Sequence, residues 1–414
     1  MNRPRILYLA HRAPTAPDRG DRIRSYHWLT RLAREADVWL ATCADEPLTQ
    51  VEAARLEALC ERTAIATVAG RGRWLRGASR LALGGTATEG LFWSADLKQQ
   101  VDAWSKEVSF DAALVFCSSM GAYLPRSLPA ERVVLDLVDV DSEKWHNYAA
   151  RARGPARWLF DLEGRRLRSL EQKLAARSHA VALVSEAEAQ LFRGIAPSTP
   201  VFGVPNGVDL DYFHATQSDE AEGRTCVFVG ALDYRANIDA VTWFCHEAWP
   251  EVRRRQPQAT LLLVGRKPTV AVRQLDSIAG VRVVGQVPDV RPYLEQATVA
   301  VAPLRIARGI QNKVLEAAAM SRAVVVSPAA LEGLELQPGR EVELAEDPRE
   351  WGERISALMN DAPRRRALAM AARRHVEAKH SWQACFEPLA RLLGLRRERV
   401  GAKPAPPLGE PATT

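Results

Sequence analysis

Several kinds of protein are excluded by what the chain lacks. Its six cysteines (Cys43, Cys60, Cys117, Cys226, Cys245 and Cys385) are scattered and form no C-x-x-C pair. That spacing argues against both a zinc site and a disulfide framework. No apolar run approaches the ~18 residues needed to span a bilayer, and the run near the start is too short for a signal peptide. The expected compartment is therefore the cytoplasm. No repeat with a period of ~20–50 residues is evident. Neither sign of charge dominates, since 56 Lys and Arg stand against 50 Asp and Glu, a net +6. This excess permits anionic partners such as nucleotides or a lipid surface and does not call for nucleic acid.

What is present describes an ordinary globular protein, with 47 % hydrophobic and 26 % charged residues in a length of 414. A single core rarely grows so large, so two domains are expected. The most informative stretch is Thr298–Glu332. Thr298–Pro303 reads as a buried strand, and Arg305–Ile310 as a loop whose Gly309, beside Ile310, lets backbone approach a ligand. Helical spacing begins near Gln311 with Val314, Leu315, Ala318 and Ala319, and Ala323–Ser327 is a second strand. The first amides of such a helix lack internal partners and attract phosphate. Lys313 lies in that first turn, with Glu316 on the same face. An ammonium beside free amides suits a diphosphate, and a carboxylate one turn deeper suits ribose hydroxyls. An ordinary surface ion pair is the alternative.

The same alternation of strand and helix runs through both halves. Ile6–Ala10 is a strand, followed by a Pro/Gly loop and a helix carrying Ile23, Tyr26, Leu29 and Leu32 on one stripe. This is the entry of a doubly wound sheet, whose ligands lie beyond the strands' carboxyl ends, so Gly20 with Arg19, Arg22 and Arg24 would face a cleft. The loop has no G-x-G-x-x-G, the usual dinucleotide fingerprint. Arg71–Arg80 is basic, and Trp74 and Trp93 are either core or cleft residues. Ala112–Phe116 and Val133–Val138 are strands that end in polar groups, Cys117-Ser118-Ser119 and then Asp139 and Asp141. Asp139 is either a catalytic acid or a helix cap. Arg151–Arg177 reads as one basic helix, with eight Arg/Lys against three Asp/Glu. Its stripe of Trp158, Leu159, Leu162, Leu167, Leu170 and Leu174 would rest on an anionic membrane or pack on the sheet. A second series opens with the strand Cys226–Gly230, where a phosphate could approach Gly230. Pro388 should kink or break a last helix over Ser381–Leu393.

The segment G-I-Q-N-K-V-L-E-A-A-A-M-S-R-A-V-V-V-S resembles the nucleotide-sugar segment of family-4 glycosyltransferases, retaining enzymes with the GT-B fold. V-F-G-V-P-N-G-V-D-L-D-Y-F at Val201–Phe213 is similar to the family's domain joint. The likeness covers roughly residues 5–390 and is nearest a bacterial subgroup associated with exopolysaccharide and exosortase (PEP-CTERM) clusters. It implies an α/β architecture of two Rossmann-like, doubly wound parallel-sheet domains facing a cleft. Residues 1–200 would form the acceptor domain and 201–375 the donor domain. A helix in 376–400 would cross back to the first domain, and 401–414 would be a disordered tail.

The resemblance also implies roles for single residues. Gly230, Gly309, Ile310, Lys313 and Glu316 would hold the donor, with Gly20 across the cleft and Val287 in the base-contacting loop G-Q-V-P-D. Relatives often carry a histidine after the strand that corresponds to Ala112–Phe116, where this chain has Ser118 and Ser119; Ser119, with Asp139, is the catalytic candidate. Two departures stand out. Arg308 replaces the first of the family's two glutamates, and Ala231 and Ala236 replace its usual Arg and Lys, leaving Arg235 as the nearby cation. Asp139-Val140-Asp141 spells a D-x-D motif but lies in the first domain, so no metal is expected. The implied reaction is metal-independent transfer of a sugar from a UDP- or GDP-type donor to a glycan or lipid-linked acceptor, without a cofactor. A nucleotide-sugar epimerase and a catalytically silent binding subunit are the alternatives.

Overall fold

The computed structural model of the chain describes residues 3–15, 20–70, 72–215, 223–306 and 310–395. The tail expected at 401–414, most of the loop expected at 215–224, and Arg19, Arg71, Arg308 and Gly309 lie outside the described residues.

The first half builds one parallel sheet from β1 (Arg5–Ala10), β2 (Asp37–Ala44), β3 (Arg62–Thr67), β4 (Ala112–Phe116), β5 (Val133–Val138), β6 (Ala180–Leu183) and β7 (Val201–Gly203), in the order β3-β2-β1-β4-β5-β6-β7. The second half repeats the scheme with β8 (Thr225–Val229), β9 (Thr260–Val264), β10 (Val281–Gly285), β11 (Val299–Ala302), β12 (Ala323–Val326) and β13 (Glu343–Leu344), ordered β10-β9-β8-β11-β12-β13. Both are doubly wound, and in each the order reverses beside the first strand, which opens a crevice at the strand ends.

Nearly continuous apolar runs are what a sheet covered on both faces demands. Successive residues of a strand point to opposite faces. In β1, Leu7 and Leu9 accordingly join Val115 and Met120 on one side, while Ile6 and Tyr8 join Trp28 and Leu29 on the other. The latter face is completed from the far end of the chain. The helix Trp382–Leu392 lays Trp382, Phe386 and Leu389 against Trp28, whereas the preceding helix, Ala362–Lys379, packs Ala372 and Val376 under the second sheet. Its crossing passes the Pro205–Gly207 joint, where the Val208 amide donates to His380 O at 2.7 Å. Gly207 has no room for a side chain, since a Cβ would come within 2.7 Å of Trp382 N.

Two sequence expectations need correction. The helix Trp382–Leu392 runs through Pro388 unbroken. Pro388 lies on the exposed face, and the buried Phe386 and Leu389 hold the opposite face despite one missing N–H. Arg151–Arg177 is not one helix. It divides into the end of Asp141–Arg151 and a separate Pro155–Ala175. Gly154 sits at φ +61°, and the residue before a proline disfavours helical backbone, so the chain turns there.

One buried ion pair ties the first domain to the joint. Arg24 donates through Nε to Asp136 Oδ2 at 2.8 Å and through Nη1 to Val204 O at 2.7 Å, and both side chains are sealed from solvent. Trp28 Nε1 adds a 2.8 Å bond to the same carboxylate oxygen. Removing one partner leaves the other charge buried and unpaired. Asp136→Ala should therefore cost about 3–5 kcal/mol in urea unfolding. Glu186→Gln, in an exposed pair with Arg193, should leave stability nearly unchanged. Equal effects of the two substitutions would contradict this.

Candidate functional site

At the carboxyl ends of the second sheet a cleft of about 780 Å³ opens toward the first domain. Its floor is Gly230 after β8 and Gly265 after β9, with Gln286, Val287 and Pro288 beyond β10. The two strand ends approach so closely that a Cβ at Gly265 would lie 1.7 Å from Gly230 O. Asn312, Leu315 and Glu316 of the helix Asn312–Ala319 form one wall, and His27 and Trp382 close the other from the first-domain side. Those two rings stack at 4.2 Å.

Helix formers Leu315 and Ala317–Ala319 bury one face of the helix and fix its start at the cleft. Gln311 supplies no side-chain cap there. Lys313 nevertheless stands in the first turn, where the helix end disfavours a cation. Two neighbours hold it. Its Nζ donates to Asn237 Oδ1 at 2.7 Å and lies 4.9 Å over the Phe228 ring, while Asn237 Nδ2 donates to Ala231 O at 2.9 Å. Burial lowers the Lys313 ammonium to about 8, against the attraction of Glu316. Burial likewise lifts the Glu316 carboxyl to about 7, with Lys313 opposing. Neither is the solvated partner that a surface ion pair would require. Asn312 Oδ1, also on this wall, is buried and has no partner among the described residues.

A second cavity, of about 530 Å³, lies at the carboxyl ends of β1, β4 and β5. Ser119 and Asp139 both line it, together with Ile310 from the second domain and Asn206 from the joint. Strained backbone holds them in place. Cys117 and Val138, the last residues before these polar turns, adopt φ of +72° and +68°, costly for any side chain and most for a β-branched one. Cys117 N donates to Asp136 O, and Val138 N to Asp136 Oδ1, so the buried aspartate braces both turns. Asp141 lines the same cavity; burial raises its carboxyl to about 6, with Lys144 opposing and Asp139 adding to the rise.

Gly230, Val287 and Glu316 thus share the larger cleft, with Lys313 beside them, and Ser119, Asp139 and Ile310 share the smaller. Gly20 begins the helix Gly20–Glu35. Arg235 begins Arg235–Trp243 and is exposed; it is not among the residues lining the cleft, which include Arg266. Sequence reasoning missed Arg266, Asn237 and Asn312, and also His11, which lines the smaller cavity after β1. Arg266 and His11 each follow directly on an apolar strand, a signal that was available. Asn237 and Asn312 give none, because polar residues near helix starts are usually caps.

Residues 223–361 match the family model described as "Glycosyl transferases group 1". No curated protein matches the chain in sequence. Among solved structures, the sucrose-phosphate synthase of Thermosynechococcus elongatus is similar at 17 % identity and TM-score 0.67, over 94 % of this chain and 98 % of its own. HepE of Anabaena, in complex with UDP and glucose, is 14 % identical at TM-score 0.64, over 94 % and 99 %. A mutant of S. aureus TarM, in complex with fondaparinux, α-GlcNAc-glycerol and UDP, is 10 % identical at TM-score 0.60, again over 94 % and 99 %. At such identities the likeness is one of fold, the GT-B arrangement of two α/β domains.

The lowered Lys313 value has a definite sign. Folding disfavours the charged form, so Lys313 costs stability below about 8, and the cost fades as pH rises toward its ordinary 10.5. A bound diphosphate reverses this preference by favouring the ammonium. UDP affinity should then hold steady up to about pH 8 and fall roughly tenfold by about pH 9, while uridine affinity changes much less. Calorimetric titration of both ligands across this range checks it; a UDP-to-uridine ratio independent of pH would contradict it.

Proposed function

We propose that the protein is a GT-B glycosyltransferase, moving a sugar from a nucleoside diphosphate donor to an acceptor hydroxyl. The observation that carries this reading is Lys313, half-buried at a helix start that Gln311 does not cap, beside the larger cleft whose wall its neighbours Asn312 and Glu316 form. A half-buried ammonium with only Glu316 to offset it is costly, and a diphosphate seated on the first-turn amides reduces that cost. Glu316 lies one turn deeper for the ribose, and the orphaned Asn312 Oδ1 offers an acceptor to a ligand hydroxyl or N–H. Arg266 supplies a cation from the turn after β9, where the family's Arg and Lys are replaced by Ala231 and Ala236.

UDP is the favoured nucleotide, because HepE and the TarM mutant are described in complex with it. The acceptor, a glycan or a lipid-linked sugar, enters the smaller cavity beside Ser119, Asp139 and Asp141. Departure of the diphosphate is the step that needs charge stabilisation, and preorganised amides with Lys313 supply it. Transfer with retention at the anomeric carbon and without added metal is part of the proposal, as is a role in cell-surface glycan synthesis at the cytoplasmic face. No protein nucleophile is assigned.

Donor hydrolysis and transfer measured with a panel of nucleotide sugars, with and without a chelator, test the activity. Turnover of none of them would leave only a binding protein, and interconversion of sugars would mean an epimerase. Two variants test the site itself. Lys313→Ala should weaken UDP by about tenfold or more relative to uridine, the worth of a charge-assisted contact. Glu316→Gln should weaken both ligands alike through the ribose. Unchanged affinity in both variants would remove the donor site from this helix.

A further inference from the structure

The helix Gly72–Ala82 turns toward solvent the side that helices ordinarily bury. Trp74 is 61 % exposed and Leu75 74 %, and Leu83, just past the helix end, is 83 % exposed. Close packing prevents the helix from rolling to hide them. A Cβ at Gly77 would meet Ala87 O and Leu91 at 3.3 Å, and one at the facing Gly90 would meet Arg76 O at 2.5 Å. Arg166 pins the C-terminal end from below, donating through Nη1 to Leu81 O and Gly85 O. Two turns before Arg166, the helix Pro155–Ala175 begins with Trp158 63 % exposed.

The exposed helix itself carries charge of one sign, and the acids nearby are each paired, Glu89 with Arg80 at 3.6 Å and Asp161 with Arg165 at 3.1 Å. Gly72–Ala82 carries Arg73, Arg76 and Arg80 and no acid, and Arg157 adjoins Trp158. Arg73 lies over the Trp74 ring at 5.3 Å. Arg76 Nε and Nη2 are buried without partners among the described residues, and Arg76 lines a cavity of about 170 Å³ with Ser79, Arg80 and Trp93. Guanidinium is the side-chain group best shaped to hold phosphate, and tryptophan settles at the level of lipid headgroups. Large apolar groups between arginines mark a helix that lies in a membrane interface.

We infer that this face docks on an anionic phospholipid bilayer. Trp74, Leu75, Leu83 and Trp158 enter the headgroup region, and Arg73 and Arg157 take lipid phosphates. The charge selects the bilayer over a second copy of the chain, since a two-fold contact through this face would set arginines against arginines. Contact is peripheral, because no helix among the described residues is long and apolar enough to cross a membrane. The short helix Ala87–Leu91 and Phe92 form a wall shared with the smaller cavity: Gly90 faces Arg76's cavity, while Thr88, Leu91 and Phe92 face that of Ser119 and Asp139. If the transferase reading holds, the docked face brings a lipid-linked acceptor to that cavity.

The test is co-sedimentation of the full chain with phosphatidylcholine vesicles, alone or with about one-third phosphatidylglycerol. The wild type should bind the anionic vesicles and release as salt is raised. Trp74→Ser/Leu75→Ser, at positions too exposed to matter for folding, should bind them about tenfold more weakly or worse. Arg73→Gln/Arg157→Gln should lose the preference for anionic lipid. UDP affinity should be unchanged in both variants, so vesicle binding without UDP binding would sink only the transferase reading, and the reverse only the docking face. Wild type that ignores anionic vesicles, or a Trp74/Leu75 variant that binds them equally well, would overturn the inference. So would a dimer that these substitutions abolish in a protein that binds no vesicles.

Discussion

Lys313 is held where a cation is least welcome, half-buried at the positive end of a helix, and the cleft around it is arranged to keep it there. Asn237 accepts a hydrogen bond from it and at the same time grips the backbone after Gly230, so the ammonium and the strand-end loop are fixed relative to each other. Phe228 shields one side. The glycine at 265 lets two strand ends close beneath. Each of these features is hard to explain as a device for stability alone, since a neutral side chain at 313 would avoid the desolvation. Together they keep a positive charge poised for an anion.

The first domain shows a parallel economy. Asp136 is sealed in the sheet, where Arg24 and Trp28 satisfy one oxygen and the amide of Val138 the other. That carboxylate holds the strained turn before Asp139, and Arg24 carries the same network to Val204 and Asn206 at the joint. The cavity of Ser119 and Asp139 is thereby coupled to the segment that connects the domains. Buried charge in this position specifies geometry more than it adds stability.

Much of the architecture was legible because parallel strands covered on both faces must be apolar throughout. Runs such as Ile6–Ala10 and Val299–Ala302 therefore stand out against polar loops. The helix start at Asn312 was legible for a similar reason, as the period changes there from strand to helix. The direction in which a helix faces was not. Trp74 and Trp158 look like core residues in any periodicity argument, and only Gly77 against Leu91 and the break at Gly154 turn them outward. Positive φ at Cys117 and Val138 leaves no trace in residue type; Asp136 braces both turns, Val138 from two residues away and Cys117 across the sheet. Ala231 and Ala236 stand at the family's two cationic positions, with Arg235 the nearby cation in sequence; Arg266, just past β9, is the arginine that lines the cleft.

The most direct measurement is a structure of the protein with UDP bound. The expected result is a diphosphate against the first turn of Asn312–Ala319, with Lys313 Nζ within hydrogen-bond reach at about 3 Å and the ribose beside Glu316. UDP seated in the smaller cavity near Ser119, or in the larger cleft with its phosphates turned away from Lys313, would contradict it.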